Sequence, residues 1–227
     1  PKFKYEFRKG FPWKHENLVA PFDFAILKTS QELEAEKEEQ LTTILPYFTF
    51  DTTIYPEKIK LLQENLNITN DTTDVLKKIT YSKLKSGLSK LYSQGILQRS
   101  VESYPELTNK TEIQKRTGTQ VSKAESSKLY SEKTAYNHLH KLLQEIKNNA
   151  DTTKKFPFDI PLEKYIESNL TYDEKTTGKE ISELTENISL THGMVKIGER
   201  IILEGEIVSS EKFQILESFK GRFVKER

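Results

Sequence analysis

Hydrophobic and polar positions alternate in blocks that predict short strands near the two ends of the chain and amphipathic helices between them. Lys4-Tyr5-Glu6-Phe7 alternates charged and aromatic residues with the period of a half-buried strand, and Gly10-Phe11-Pro12-Trp13 breaks it. Asp23-Phe24-Ala25-Ile26-Leu27 predicts a second strand. Thr29 with Glu32 makes a capping box, so a helix starts there and stops before Pro46. Two further helices are expected, from about Glu57 to Leu66 and from Asp71 to about Gln94. The second carries Val75, Leu76, Ile79, Leu84, Leu88 and Leu91 at helical spacings; Gly87 weakens it and Gly95 ends it.

From Ile96 to Tyr130 the pattern changes to strand, loop and hairpin. Ser131 caps a helix carrying Tyr136, Leu139, Leu142, Leu143 and Ile146. Asn148 to Pro161, with Thr152, Thr153, Lys154, Lys155 and Pro157, is a connection. Thr171 with Glu174 makes another capping box before a helix towards Leu190 that Gly178 interrupts. No repeat of solenoid length is visible.

The most detailed pattern runs from Met194 to Val208. Apolar segments flank Gly198-Glu199, a glycine-first pair suited to a tight primed turn, which predicts a β-hairpin. Gly205 permits a second change of direction. Ser209 or Ser210 then caps a helix whose inward positions are Phe213, Leu216 and Phe219, with Ile215 beside them.

At 227 residues the chain suffices for one large domain or two small ones with a real core. A hydrophobic fraction of 35% and a mean hydropathy of -0.66 describe a polar surface. No apolar run approaches the roughly 18 residues that cross a bilayer. The missing Met at Pro1 and the lack of a signal-peptide pattern suit a segment of a longer protein. With 35 Lys+Arg against 34 Asp+Glu, no global field recruits a polyanion, so nucleic acid is not an expected partner. Glu32, Glu34, Glu36, Glu38 and Glu39 span several helix faces and read as a solvated surface. The absence of cysteine excludes disulfides, thiolate chemistry and cysteine-based zinc sites.

Catalytic patterns are missing. The four histidines are His15, His138, His140 and His192; on a helix His138 and His140 project about 200° apart and share no face. No nucleophile elbow, phosphate loop or His-Glu-x-x-His helix is present. Asp173 and Glu174 form a carboxylate pair that signifies little without a pocket. Sequons at Asn67, Asn70, Asn109, Asn169 and Asn187 follow from an Asn- and Thr-rich composition. Trp13 reads as a ring packed over the small sheet, against the alternative of an aromatic wall of a ligand or partner site or a contact with the membrane interface. Tyr47, Phe48 and Phe50 read as core plugs. No residue is assigned a catalytic or metal-binding role, no cofactor is expected, and the ligand-binding residues stay open.

Gly198-Glu199-Arg200-Ile201-Ile202, three residues, Glu206-Ile207-Val208 and a helix containing Ile215-Leu216-Glu217-Ser218 resemble the end of the extracytoplasmic domain of seven-transmembrane receptors with an intracellular HD phosphohydrolase domain. Leu18-Val19-Ala20-Pro21-Phe22-Asp23-Phe24, the charged helix and Leu45-Pro46-Tyr47-Phe48 are similar to that family's opening block. Asn169-Leu170-Thr171-Tyr172-Asp173-Glu174 leading to Ser189-Leu190-Thr191-His192-Gly193-Met194-Val195 adds a third similarity. The matches keep the family's order, with Ile68 to Ala150 unmatched.

The resemblance, with the terminal strand signals, implies an α+β fold: a mainly helical body and a small antiparallel sheet formed by the N-terminal strands and the C-terminal hairpin. It implies one extracytoplasmic sensor-type domain over residues 1–227, helical over about 54–190 and β-containing over about 1–50 and 191–227. Both ends would then face a membrane, joined to transmembrane helices beyond Pro1 and Arg227, on the extracytoplasmic face of a bacterial inner membrane. In such proteins the cytoplasmic HD domain, a metal centre, hydrolyses a cyclic dinucleotide, cyclic di-AMP, while the outer domain receives a signal. None of the four histidines here is followed by Asp, so this chain is expected to be the non-catalytic receiver, with an envelope ligand or protein as partner. Two rivals stand beside it. One is a structural or protein-interaction module, such as a homodimerisation domain, that binds no small molecule. The other is a lipoyl- or biotinyl-type carrier, which the hairpin from Val195 to Val208 resembles distantly; its lysine should project from a tight turn, whereas Lys196 is expected within a strand.

Overall fold

A computed structural model describes residues 3–150 and 156–225. In chain order it contains β1 (Leu18–Val19), β2 (Phe24–Leu27), α1 (Ser30–Thr43), β3 (Tyr47–Phe50), α2 (Ile54–Asn65), α3 (Val75–Gln94) and β4 (Ile96–Leu97). β5 (Glu112–Thr117), β6 (Gln120–Glu125), β7 (Tyr130–Ser131), α4 (Glu132–Asn149), β8 (Leu170–Tyr172), α5 (Glu174–Glu186), β9 (Thr191–Val195), β10 (Arg200–Ile202) and α6 (Ser210–Lys225) follow. The fold is α+β. Two compact units divide it: residues 1–44 with 181–227, and residues 45–180.

Helices α1, α3, α4, α5 and α6 start where a side-chain oxygen takes an otherwise unpaired N–H. Thr29 accepts from the Glu32 N–H at 3.2 Å while the Glu32 carboxylate accepts from the Thr29 N–H at 2.7 Å, the expected capping box. Ser131 caps α4 and Ser209 accepts from the Lys212 N–H at the start of α6. The expected Thr171–Glu174 box is not what starts α5. Thr171 lies in β8, and Asp173 is the cap, its Oδ1 accepting from the Thr176 N–H at 3.0 Å. Gly178 leaves α5 unbroken. The connection expected over Asn148–Pro161 begins after α4; Thr152, Thr153, Lys154 and Lys155 lie outside the described residues.

In the first unit the N-terminal and C-terminal segments pair. β1 pairs with β10 and β2 with β9, both antiparallel, and Pro12 bridges Ile207. β9 and β10 flank the expected reversal, yet each takes its ladder partner from the N-terminal segment instead of from the other. The turn spans Lys196 to Glu199, closed by the Glu199 N–H donating to the Lys196 carbonyl at 3.0 Å. Gly198 stands third, at φ +83°, where type II turns require a positive φ; the primed turn with glycine second does not form. Seven residues on, Leu203 to Glu206 repeats this turn, with Gly205 third at φ +77°.

The two turns share one bonding scheme. Glu199 and Glu206 each accept the N–H of their turn's first residue, Lys196 at 2.9 Å and Leu203 at 2.8 Å. Asp23 and Asn17 accept from the second residues, Ile197 and Glu204. The carbonyls of Ala20 and Trp13 accept from the two glycines, and the Ala20 and Trp13 N–H groups donate to the carbonyls of Glu199 and Glu206. Each tight reversal is thus bonded both within itself and to the N-terminal segment, which explains how segments more than 170 residues apart find one register.

Residues 3 to 8 form no ladder, so the strand expected at Lys4–Phe7 is absent. The alternation survives: Phe3, Tyr5 and Phe7 turn inward onto the core of Trp13, Phe24, Ile202, Leu216 and Phe219. The Phe3 ring lies 5.8 Å from that of Phe219 and 6.0 Å from that of Phe223, and Phe7 lies 5.5 Å from Phe213. The N-terminal segment therefore runs antiparallel to α6, with Phe3 beside the last turns of that helix and Phe7 beside its first.

The second unit combines the helices α2, α3 and α4 with a sheet. A six-stranded mixed sheet of order β6-β5-β3-β8-β4-β7 runs through it. Its strands are short and come from well-separated segments: β3 pairs parallel with β5 and antiparallel with β8, and β4 pairs parallel with both β7 and β8. Phe48, Leu97, Ile113 and Leu170 fill one core beside it, and α2, α3 and α4 contribute a larger one around Leu62, Leu88, Leu91, Leu139 and Leu143. Gly87 is buried in α3 and does not break it. A Cβ there would come within 2.8 Å of Leu142 and 3.3 Å of Leu139, so the glycine lets α3 and α4 approach closely.

Asn169 ties the sheet together. Its Oδ1 accepts from the Ile96 N–H at 2.7 Å, its Nδ2 donates to the Tyr92 carbonyl at 2.9 Å, and its own carbonyl accepts from the Asp51 N–H. Asp173 holds the same sheet to α5. Burial works to raise its pKa, but the N–H and hydroxyl of Thr176 and the Arg116 guanidinium, 2.5 Å away, outweigh it and hold the carboxyl below its ordinary value. A depressed folded-state pKa adds stability above the unfolded value and loses it as pH falls through the folded one. Wild type should therefore lose urea stability more steeply than Asp173→Asn below about pH 4. Equal slopes in denaturation midpoint against pH would contradict this pairing.

Candidate functional site

One concavity of the second unit lies between the end of β3, the first turn of α2 and the last turns of α3. It has a volume of about 260 Å³ and is lined by Phe50, Asp51, Tyr55, Ser89, Tyr92 and Ser93, with Thr52 and Asn169 also on its walls. A shallower groove continues from it along α3 past Ser82, Ser86 and Lys90. Each wall has a local cause. Asp51 follows the strand as an Asx turn, its Oδ1 accepting from both the N–H and the hydroxyl of Thr53, and this holds it where α2 begins. Tyr55 sits on the first turn of α2, its ring 5.9 Å from that of buried Tyr92. Tyr92 donates its hydroxyl to the Tyr165 carbonyl and is fixed.

Two charges flank Phe50. Thr53 donates two hydrogen bonds to the Asp51 carboxyl and keeps its pKa low, so Asp51 stays ionised; Oδ2 receives no donor among the described residues. Lys115, half-buried on β5, places Nζ 4.1 Å from the centre of the Phe50 ring and donates to the Ser93 carbonyl at 3.0 Å. That carbonyl is one of the last four of α3, unpaired within the helix. Desolvation pulls the Lys115 pKa down, and no carboxylate among the described residues pairs with it.

The residues weighed from sequence lie elsewhere. Trp13 is 1% exposed, and its Nε1 donates to the Glu16 carbonyl at 2.9 Å, so the ring packs in the core and forms no ligand wall. Phe48 is buried as a plug, whereas Phe50 both packs on the core and lines the concavity. His15 lies against Trp13 and the Glu6 backbone, His138 against Tyr130, His140 on Tyr136, and His192 is exposed on β9. Among the described residues no group of three metal-ligating side chains converges. Lys196 opens its turn instead of standing in a strand, and its Nζ pairs with Asp23 Oδ2 at 3.3 Å. The buried Asn169 is fully bonded, so its sequon is closed to glycosylation in the folded chain.

Sequence reasoning passed over Asp51, Lys115, Ser89 and Ser93. Lys115 stands in the polar run Gln114-Lys115-Arg116, and only the parallel pairing of β3 with β5 sets it beside Phe50. The serines are visible as Ser82, Ser86, Ser89 and Ser93 at spacings of four, three and four, one helical face, but such a stripe alone is a solvated surface.

No helix among the described residues is long and apolar enough to cross a membrane. No curated protein and no solved structure is similar enough to match. A family model does match: that described as 7TM-HD extracellular covers residues 15–221 and so takes in the paired terminal segments and both units. The chain therefore belongs to the 7TM-HD extracellular family, as an extracytoplasmic sensor-type domain of a membrane protein.

Proposed function

We propose that this chain is the non-catalytic, signal-receiving half of a multi-pass bacterial envelope protein whose cytoplasmic HD domain hydrolyses a cyclic dinucleotide, cyclic di-AMP. The observation that carries the reading is the antiparallel course of residues 3–8 along α6, with Phe3 against Phe219 and Phe223. A domain inserted between two transmembrane helices must return its chain to the face from which it came, and this arrangement does so. Pro1 and Arg227 lie outside the described residues.

Signal transfer then needs a ligand or envelope partner that prefers one of two arrangements of the terminal segments. Turning such an equilibrium from mostly off to mostly on takes a preference of roughly 5 kcal/mol. The hydrolysis assay separates the halves. The intact protein in proteoliposomes is expected to turn over cyclic di-AMP, and the purified domain to show none; turnover by the domain alone, or none by the intact protein, overturns the reading.

A further inference from the structure

Residues 3–8 carry the aromatic face that packs on α6, yet their main chain joins no ladder. Burial alternates along them: Phe3, Tyr5 and Phe7 are half-buried, and Lys4, Glu6 and Arg8 are exposed. His15 Nε2 lies 3.2 Å from the Glu6 nitrogen and 2.9 Å from its carbonyl oxygen, so both atoms point to one side, as they do in an extended residue. Tyr5 and Phe7 then direct their own N–H and C=O groups to the opposite side. Neither residue makes a main-chain hydrogen bond among the described residues, so groups at strand spacing stand open along one edge. Both residues line a groove of about 690 Å³ that Arg8, Phe11, Glu217 and Lys220 also border.

Charge selects the occupant. Lys4, Glu6 and Arg8 present positive, negative and positive side chains at every second residue, and none of the three has an ion-pair partner among the described residues. A second copy of this segment laid in register, parallel or antiparallel, sets like charges opposite one another. A strand with acidic, basic and acidic residues at alternate positions meets an opposite charge at each. Apolar residues between them find Phe11, 57% exposed in the same groove. We propose that residues 4–8 accept such a segment of a partner protein as an added β-strand. The proposal deepens the receiver reading by naming the kind of partner, and rests on it for biological meaning.

The probe is the peptide Glu-Val-Lys-Val-Glu, acetylated and amidated so that only its side chains are charged. Titration of the isolated 227-residue chain, followed by nuclear magnetic resonance, is expected to show binding in the millimolar range or tighter, with hydrogen exchange slowed several-fold at the Tyr5 and Phe7 amides. The charge-reversed peptide Lys-Val-Glu-Val-Lys should bind at least about fivefold more weakly. N-methylation of either the two valines or the central lysine should weaken binding at least about tenfold, and the other methylation should leave it within about threefold, because only alternate N–H groups of a strand face its neighbour. The triple variant Lys4→Glu, Glu6→Lys, Arg8→Glu changes only exposed side chains and should reverse the preference between the two peptides. No binding at millimolar concentration, equal binding of the two peptides, equal effects of the two methylations, or an unchanged preference in the triple variant overturns the proposal. Cyclic di-AMP hydrolysis by the intact protein is unaffected by such a failure, so the receiver reading is judged separately.

Discussion

Trp13→Ala is expected to cost about 3–5 kcal/mol, the range for removing a fully buried large aromatic, and this is a large share of a typical domain's 5–15 kcal/mol. Trp13 is 1% exposed, packs between the rings of Tyr5, Phe7 and His15, and donates from Nε1 to the Glu16 carbonyl. Its own backbone closes the second glycine turn, through the Trp13 N–H to Glu206 and the Gly205 N–H to the Trp13 carbonyl. Loss of the ring therefore empties the core beneath the strand pairs that join the two ends of the chain. Trp13→Phe keeps most of the packing and loses the indole bond, so it should cost about 1–2 kcal/mol. Urea denaturation followed by circular dichroism ranks the two variants, and hydrogen exchange should rise first at the amides of β1, β2, β9 and β10. A Trp13→Ala cost no larger than that of Trp13→Phe would show that the ring is not a core element.

Gly95→Ala should be at least as damaging to the second unit, at about 3 kcal/mol or more, from backbone strain and overpacking together. Gly95 ends α3 at φ +114° and ψ 135°, a combination that residues with a side chain avoid. A Cβ there would lie 2.2 Å from Leu170 Cδ1, in the core that joins β4 to β8. The chain cannot relax away easily, because the Gly95 carbonyl accepts from the Tyr130 N–H and the next residue is held by Asn169. Gly118→Ala is the control: its φ is +59° and its Cβ would meet nothing within 4 Å, so it should cost only about 1 kcal/mol. Similar losses for the two glycines, read from urea midpoints, would remove the steric argument. The sole tryptophan lies in the other unit, so its fluorescence reports Trp13's surroundings while far-ultraviolet circular dichroism weights the helices α2, α3 and α4.

What the sequence made legible were features decided within a few residues. Thr29 with Glu32, Ser131 and Ser209 begin helices because a capping side chain needs only its own next turn. Gly95 as a helix stop and the inward face of Leu216 and Phe219 are of the same kind. The large sheet was not legible, because β4 and β7 have two residues each and owe their strand character to partners far along the chain. The Lys196 to Glu199 turn was located correctly, but its type depends on Ala20 and Asp23, which meet it only in the fold. A short signal was present, Gly-Glu at 198–199 and again at 205–206, and it marks the paired turns once their common bonding is known. The candidate concavity was illegible for a related reason: Phe50, Tyr55 and Ser93 come from three elements, and none carries a local motif.

The receiver reading requires the two ends of this domain to form one mechanical unit through which a signal reaches the membrane. Its most direct test places cysteines at Phe3 and Phe223 of the intact protein, positions in ring contact within a domain that has no cysteine of its own. The pair is bridged with a short cleavable cross-linker, and cyclic di-AMP hydrolysis is measured in proteoliposomes, with single-cysteine controls. Efficient bridging, with a hydrolysis rate that shifts several-fold and reverts on cleavage, is the predicted result. Thiols that cannot be bridged, or a rate indifferent to the bridge, would contradict it.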